Sequence, residues 1–95
     1  MAAYVVGYMT VKNPTQWKEY RDKVPATLEP YGGEVFIRGK RAAVLAGEHQ
    51  HSALVVMRFP SKDAASQWYS SAAYQALIPI RDGASDIVLV IYEEF

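Results

Sequence analysis

The sequence predicts an α+β fold in which four strands and two helices follow one another in the order β-α-β-β-α-β, the ferredoxin-like arrangement. The helices are indicated by apolar residues at helical spacing, and the strands by short apolar runs between turn residues. A third observation concerns assembly, because the strands are apolar on both of their faces.

This two-sided pattern is clearest in the first and last strands. In the first strand, Tyr4 and Val6 point to one side while Val5 and Met9 point to the other, and residues 87–92 of the last strand have no polar side at all. A sheet with helices on one side normally alternates apolar and polar residues. Two helices cover only one side, so a second copy of the same sheet is the simplest cover for the other. The sequence therefore predicts an obligate homodimer that associates through the sheet face.

The first helix has clear start and stop signals. Asn13 is a good N-cap, Pro14 suits the first helical position, and Gln16 completes a capping-box pattern. Pro25 predicts a kink or a break within the helix, and residues 32–33, both glycine, end the element. The apolar residues at helical spacing are Trp17, Tyr20, Val24, Leu28 and Tyr31.

The remaining elements follow from the same rules. Ser61 is the predicted N-cap of the second helix, and a separate helical turn around Tyr74 is expected to end near Pro79 and Gly83. The strands are expected at residues 3–11, 34–38, 52–59 and 87–93, with an extended piece at 42–46 that either pairs back or continues the edge.

Composition narrows the class of protein. The chain has 95 residues, which predicts a single domain spanning residues 1–95, and its formal net charge of zero favours neither nucleic acid nor an anionic membrane as a partner. Cysteine is absent, which excludes disulfides, thiolate metal sites and a cysteine nucleophile. The start lacks the pattern of a signal peptide, and no apolar run is long enough to span a bilayer. We therefore expect a cytoplasmic protein that binds no membrane.

The chain contains no known sequence motif that would indicate a reaction. The chain contains no dinucleotide-binding, P-loop, nucleophile-elbow or zinc-protease motif. RNA-recognition modules share the element order but stack bases on aromatic residues of the third strand, and here residues 53–57 are aliphatic or methionine. RNA binding is therefore rejected, and no cofactor is predicted.

Several stretches together resemble the DUF1330 family of the dimeric α+β barrel superfamily. They cover nearly the whole chain: Tyr20 to Leu28, Tyr31-Gly32-Gly33 with Arg38-Gly39, Phe59-Pro60-Ser61 with Ala64-Ala65 and Trp68-Tyr69, and Ser71 with Tyr74 to Leu77 and Arg81. The resemblance implies a ferredoxin-like protomer whose sheets associate face to face. It implies no activity, although the superfamily includes cofactor-independent monooxygenases, haem-degrading enzymes and isomerases.

Two arginines are the leading candidates for ligand binding. Arg38 and Arg81 each end an apolar segment, so each guanidinium can hold a carboxylate or enolate at the edge of an apolar cavity. The alternative is that both are structural and bond acidic side chains or loop carbonyls. Tyr20, Tyr31 and Tyr69 are further candidate ligand contacts, although aromatic residues at helical spacing more often belong to the core.

Two residues are candidates for proton transfer. The hydroxyl of Tyr69 is one, and His51 is the other because its ordinary pKa suits a general base near neutral pH. His49 and His51 form an H-x-H pattern, but no third ligand stands at a recognisable spacing, so no metal site is predicted.

Three functions remain open. The first is a homodimer that binds a small organic acid or aromatic ligand between sheet and helices. The second is a cofactor-independent monooxygenase or isomerase acting on a small enolisable substrate. The third is a purely structural dimerisation module. A titratable group inside a cavity favours the enzyme, hydroxyls and arginines alone favour binding, and a filled cavity favours the structural role.

Overall fold

A four-stranded antiparallel sheet forms one layer of the protein, for which a computed structural model describes all residues, 1–95. The order of strands across the sheet is β2-β3-β1-β4, so β1 lies in the interior between β3 and β4. This confirms the predicted ferredoxin-like α+β fold. The strands are β1 Ala3–Val11, β2 Glu34–Lys40, β3 Ala53–Phe59 and β4 Ser85–Glu93.

The helices form a second layer over one side of that sheet. They are α1 Pro14–Leu28, α2 Lys62–Ser70, α3 Ala72–Gln75 and α4 Ile78–Ala84, with a 3₁₀ turn at Glu29–Tyr31. Trp68 of α2 is fully buried in the shared core with Val5 of β1, and its indole N–H donates to the Thr27 hydroxyl of α1 at 2.9 Å. No helix combines the length and the apolar character that crossing a membrane requires.

The start of α1 matches the prediction only in part. The Asn13 side chain accepts a hydrogen bond from the backbone N–H of Gln16 at 3.1 Å, as expected of an N-cap. The reciprocal half of the capping box is absent, because the Gln16 amide donates instead to the carbonyl of Ile80 at 3.2 Å and so joins α1 to α4.

The end of α1 corrects one prediction. The helix continues through Pro25 to Leu28, so of the predicted kink or break, the break is wrong. The chain turns where φ of Gly32 reaches 69°, in the left-handed region that glycine adopts without steric cost. Gly33 is required for a different reason, because an added Cβ would lie 2.5 Å from a ring carbon of Phe59.

The second helical segment is divided more finely than the sequence indicates. Ser61 caps α2 as predicted, by accepting from the N–H of Ala64 at 3.1 Å. Ser71 then ends α2 and begins α3, since its hydroxyl donates to the carbonyl of Trp68 and accepts from the N–H of Tyr74. Pro79 does not end the element as expected but lies in the first turn of α4, where a missing N–H is tolerated.

The two faces of the sheet differ in burial. On the covered face, which is the side under the helices, Val5 and Met9 of β1 are each 2% exposed. On the opposite side, which we call the open face, Tyr4, Val6 and Tyr8 of the same strand are only half-buried. The predicted alternation of β1 is therefore confirmed.

A bulge and a loop change the edge of the sheet. The register of β2 against β3 shifts between Val35 and Ile37, so Phe36 is an extra residue. Beyond β2, residues 41–52 form an exposed loop whose ends meet where the N–H of Arg41 donates to the carbonyl of Ser52. The extended piece predicted at 42–46 is wrong in its pairing, because these residues join no strand.

Candidate functional site

A cavity of about 370 Å³ lies between α1 and the covered face of the sheet, and we call it the α1 cavity. Three cations, Arg21, Arg38 and Lys40, belong to its lining, which contains no acidic residue. The rest of the wall is mostly apolar. It comprises Met9, Trp17, Tyr20, Val24, Val35, Gly39, Ala53, Leu54, Val55, Met57, Ile87 and Leu89.

A second cavity of about 540 Å³ lies between α2, α4 and strand β4, and we call it the β4 cavity. Its charged lining residue is Arg81, and Tyr69 stands beside it. Ile87 and Leu89 belong to the walls of both cavities, so the two spaces adjoin along β4. Val5, Ala65, Ser66, Trp68, Ser70 and Ile91 complete the lining.

Four polar side chains meet between the two cavities, and we call them the tyrosine–arginine cluster: Tyr20, Tyr69, Tyr74 and Arg81. The Nη1 nitrogen of Arg81 donates to the hydroxyl of Tyr69 at 3.3 Å and to that of Tyr74 at 3.2 Å. The hydroxyl oxygens of Tyr74 and Tyr20 are 2.8 Å apart. Tyr20 comes from α1, Tyr69 from α2, Tyr74 from α3 and Arg81 from α4, so every helix contributes one member.

Arg81 is a buried cation with one open edge. It is 9% exposed, and its Nε donates to Asp82 at 3.0 Å. Its Nη2 nitrogen makes no hydrogen bond within the protein. Every fully buried side-chain nitrogen or oxygen has a hydrogen-bond partner, so Nη2 is not fully buried. Nη2 is therefore open to solvent, and the β4 cavity is the space that Arg81 lines. Burial disfavours the cation, but the hydrogen bonds to Tyr69 and Tyr74 outweigh it and raise the pKa of Arg81.

The bulge in β2 brings Arg38 to the α1 cavity. Val35 faces the helices, and strict alternation would turn Arg38 to the opposite side. The extra residue Phe36 reverses the phase, so Arg38 pairs with Val55 on the covered face. The structure thus places both predicted arginines at the helix layer but in separate cavities.

The remaining predicted residues divide as follows. Tyr20 lines the α1 cavity, and Tyr69 lines the β4 cavity with Arg81. Tyr31 packs against the core and lines neither cavity. The Nδ1 of His51 is 3.0 Å from the hydroxyl of Thr10, a residue of the open face, so His51 lies apart from both cavities.

The histidine pair lies beside the end of β1. The rings of His49 and His51 have centroids 6.0 Å apart, and the ring of Tyr8 lies 5.5 Å from that of His49. No group of three or more histidine, cysteine, aspartate or glutamate side chains could hold a metal ion.

Sequence reasoning missed the part that Tyr74 plays. Its hydroxyl joins Tyr20 to Arg81, while its ring is fully buried and lies 4.3 Å from that of Trp68. The spacing of Tyr74 and Arg81 gives no signal, because the chain between them passes from α3 to α4. The one signal in the sequence is general: a tyrosine whose ring is buried needs a hydrogen-bond partner for its hydroxyl.

The sequence also matches a family model. A model described as a domain of unknown function, DUF1330, matches residues 2–95. The chain belongs to the DUF1330 family. Among curated proteins, none significantly matches this DUF1330 chain.

Solved structures share the fold of this DUF1330 protein at low sequence identity. A protein of unknown function from Rhodopseudomonas palustris, RPA0582, is 15% identical with a TM-score of 0.83, covering 99% of this chain and 82% of that one. The cofactor-independent oxygenase SnoaB from Streptomyces nogalater is 11% identical with a TM-score of 0.69, covering 99% and 93%. A dimeric ferredoxin-like protein of unknown function from Jannaschia sp. CCS1 is 12% identical with a TM-score of 0.70, covering 99% and 100%.

Proposed function

We propose that this protein is a cytoplasmic homodimer that binds a small organic acid, aromatic or aliphatic, between its sheet and its helices. The observation that carries the proposal is Arg81, a buried guanidinium whose Nη2 nitrogen has no partner in the protein and which lines the β4 cavity. A carboxylate accepts charge-assisted hydrogen bonds from such a group.

The charge of Arg81 is only partly compensated within the protein. Its one carboxylate contact is Asp82, the next residue in the chain, whose side chain is 60% exposed and so interacts through solvent. The two tyrosine hydroxyls supply dipoles but no negative charge. An anion in the β4 cavity would add the missing counter-charge to a site already partly desolvated.

The walls of the cavities favour a ligand with an apolar body. Apart from Arg81, Tyr69 and two serines, the β4 cavity is lined by aliphatic residues and Trp68. Both cavities are of the size that small-molecule sites commonly have, about 300–1,000 Å³. Open cavities of this kind support binding over a purely structural role.

Binding of benzoate, followed by isothermal titration calorimetry, tests this proposal. We expect wild-type protein to bind benzoate about tenfold more tightly than benzyl alcohol, which has the same ring without the charge. Arg81→Lys keeps a cation but loses the planar fork, and we expect it to weaken benzoate binding by about tenfold. Arg41→Lys is the matched control, since Arg41 lies in the exposed loop after β2 and lines neither cavity. Equal affinity for the acid and the alcohol would contradict the proposal.

The open face of the sheet supports the homodimer. Phe36, Ile37, Val88 and Tyr92 are each about half exposed or more there, at 64%, 50%, 48% and 48%. A continuous apolar face of this extent is typical of an interaction surface, and a two-fold axis would bring identical faces together. The Jannaschia protein with this fold is described as dimeric.

A cofactor-independent oxygenase or isomerase is the second candidate function. It is favoured by the shared fold with SnoaB, itself such an oxygenase, and by the Tyr69 hydroxyl held beside Arg81 at the wall of the β4 cavity. In both reactions an enolisable substrate loses a C–H proton, and a nearby cation stabilises the resulting anion. His51 lies by the open face, outside both cavities, which leaves Tyr69 as the candidate for proton transfer.

Deuterium exchange into phenylpyruvate, an enolisable aromatic acid, separates the two functions. An enzyme would accelerate exchange at the carbon beside the carbonyl, as followed by NMR in D₂O, and Tyr69→Phe would slow it. Exchange at the rate of buffer alone, with phenylpyruvate bound, would leave the binding function and exclude enolisation of this substrate.

A further inference from the structure

The direction of the hydrogen bonds in the tyrosine–arginine cluster follows from donor and acceptor counts. A guanidinium has only donors, so the Tyr74 oxygen accepts from Arg81 Nη1. Tyr74 is fully buried, and the oxygen of Tyr20 at 2.8 Å is the one acceptor its own proton can reach. Leaving a buried donor without an acceptor is energetically costly. Tyr74 therefore donates to Tyr20.

This direction leaves one proton without an acceptor in the protein. The Tyr20 oxygen is already engaged as an acceptor, and its hydroxyl makes no other hydrogen bond. Tyr20 is 5% exposed and belongs to the wall of the α1 cavity. The chain of donors thus runs from Arg81 through Tyr74 to Tyr20, a residue of that cavity's wall whose own hydroxyl proton has no acceptor in the protein.

The surroundings make this hydroxyl a strong donor that keeps its proton. Hydrogen bonds in a chain polarise one another, by about 10–30% per bond, and here the first donor is a cation. Burial, together with the neighbouring Tyr74 hydroxyl, raises the pKa of Tyr20 far above its ordinary value, so Tyr20 stays neutral.

The charged residues that line the α1 cavity indicate the charge of the ligand that the Tyr20 hydroxyl would bind. Arg21, Arg38 and Lys40 line the cavity and no carboxylate does. The one ion pair that any of them makes within the protein joins the Nε of Arg21 to Asp22 at 3.6 Å, and Asp22 is itself half exposed. The cavity therefore favours a negatively charged ligand with an apolar body.

We propose that the Tyr20 hydroxyl is a ligand-binding donor of the α1 cavity and that it receives an oxyanion, the phenolate or enolate oxygen of a small flat ligand. The proposal rests on the function proposed above, that an organic anion enters the space between sheet and helices. It adds that the ligand's oxyanion is the atom bound, that Tyr20 binds it, and that this occurs in the α1 cavity and not in the β4 cavity that Arg81 lines.

The test uses 4-nitrophenolate, whose absorbance reports hydrogen bonding to its oxygen, and nitrobenzene as the neutral ligand of similar shape. We expect wild-type protein to bind the phenolate and to lower its apparent pKa. Tyr20→Phe should weaken phenolate binding by about tenfold, the value of one charge-assisted hydrogen bond, and leave nitrobenzene binding unchanged. Tyr74→Phe, which keeps Tyr20 but removes the link to Arg81, should weaken it by a smaller factor.

Tyr31→Phe is the matched control, since Tyr31 also packs against the core but lines neither cavity. A measurement on wild-type protein needs no variant: phenolate binding should bring a low-field hydroxyl proton signal in the NMR spectrum. Phenolate bound equally well by Tyr20→Phe and wild type would overturn the Tyr20 proposal. So would benzoate binding without phenolate binding, which leaves the proposed function intact. Failure of both anions to bind would overturn both.

Discussion

The covered and open faces of one sheet are built from the same kinds of residue but have different surroundings. Val5 on the covered face is 2% exposed, whereas Val6, its neighbour in sequence, is only half-buried. Both are valines in the middle of an interior strand. Apolar residues on a sheet face therefore predict that the face is covered. Whether the cover comes from the same protomer depends on the other elements of the chain.

The largest effect is expected on the covered face. Trp68→Ala removes a fully buried side chain, 0% exposed, from the centre of the core, and we expect the free energy of unfolding to fall by about 3–5 kcal/mol. Urea unfolding at a fixed protein concentration measures it. Trp17→Ala is the matched control, because Trp17 is half-buried at the α1 cavity and should cost clearly less. Equal costs would contradict the difference in burial.

The next effect concerns the open face. Val6→Asp places a carboxylate at the middle of that face, between Val56 and Val90 on the neighbouring strands. We expect dimer affinity to fall by about a hundredfold or more, since an unpaired charge would be buried in the interface, while the protomer stays folded. Analytical ultracentrifugation and circular dichroism check the two parts. Gln67→Asp, on the exposed side of α2, is the control, and a Val6→Asp dimer of normal affinity would show that the interface lies elsewhere.

A smaller effect isolates one hydrogen bond of the core. Thr27→Val keeps the shape of the side chain but leaves the indole N–H of Trp68 without its acceptor, which should lower the free energy of unfolding by about 1–3 kcal/mol. Thr27→Ser retains the hydroxyl and serves as the control. A Thr27→Val protein as stable as wild type would mean that the indole finds another acceptor.

The smallest effect is expected at the rim of the open face. Lys12 and Asp86 form an ion pair of 3.1 Å, with side chains 55% and 65% exposed. Lys12→Ala should change the free energy of unfolding by less than about 1 kcal/mol, as is usual for solvated pairs. A larger loss of unfolding free energy that appears only in the dimer would show that the partner protomer buries this ion pair.

Much of the fold is predictable because its signals are local. A short apolar run between turn residues predicts β1 at residues 3–11, as observed, and polar caps correctly place Asn13 and Ser61 at the starts of helices. The division of the second helical segment is not predictable in the same way. It depends on Ser71, whose hydroxyl bonds both neighbouring helices only once the chain has turned.

The candidate site is less predictable because it depends on register and on distant contacts. The sequence shows Arg38 and Arg81 after apolar runs, but the face that Arg38 occupies depends on the bulge at Phe36, and a bulge shifts the register without a clear sequence signal. Likewise, Tyr20 and Tyr74 are 54 residues apart, and only the packing of α3 against α1 brings their hydroxyls together.

The close approach of Gly33 to Phe59 has a consequence for how the family can vary. The Phe59 ring fills the space that any side chain at position 33 would need, and the ring in turn packs against Trp68. Neither position can change alone without a clash or an empty volume. We therefore expect the two to change together in related sequences, with a side chain at position 33 accompanied by a smaller residue at position 59.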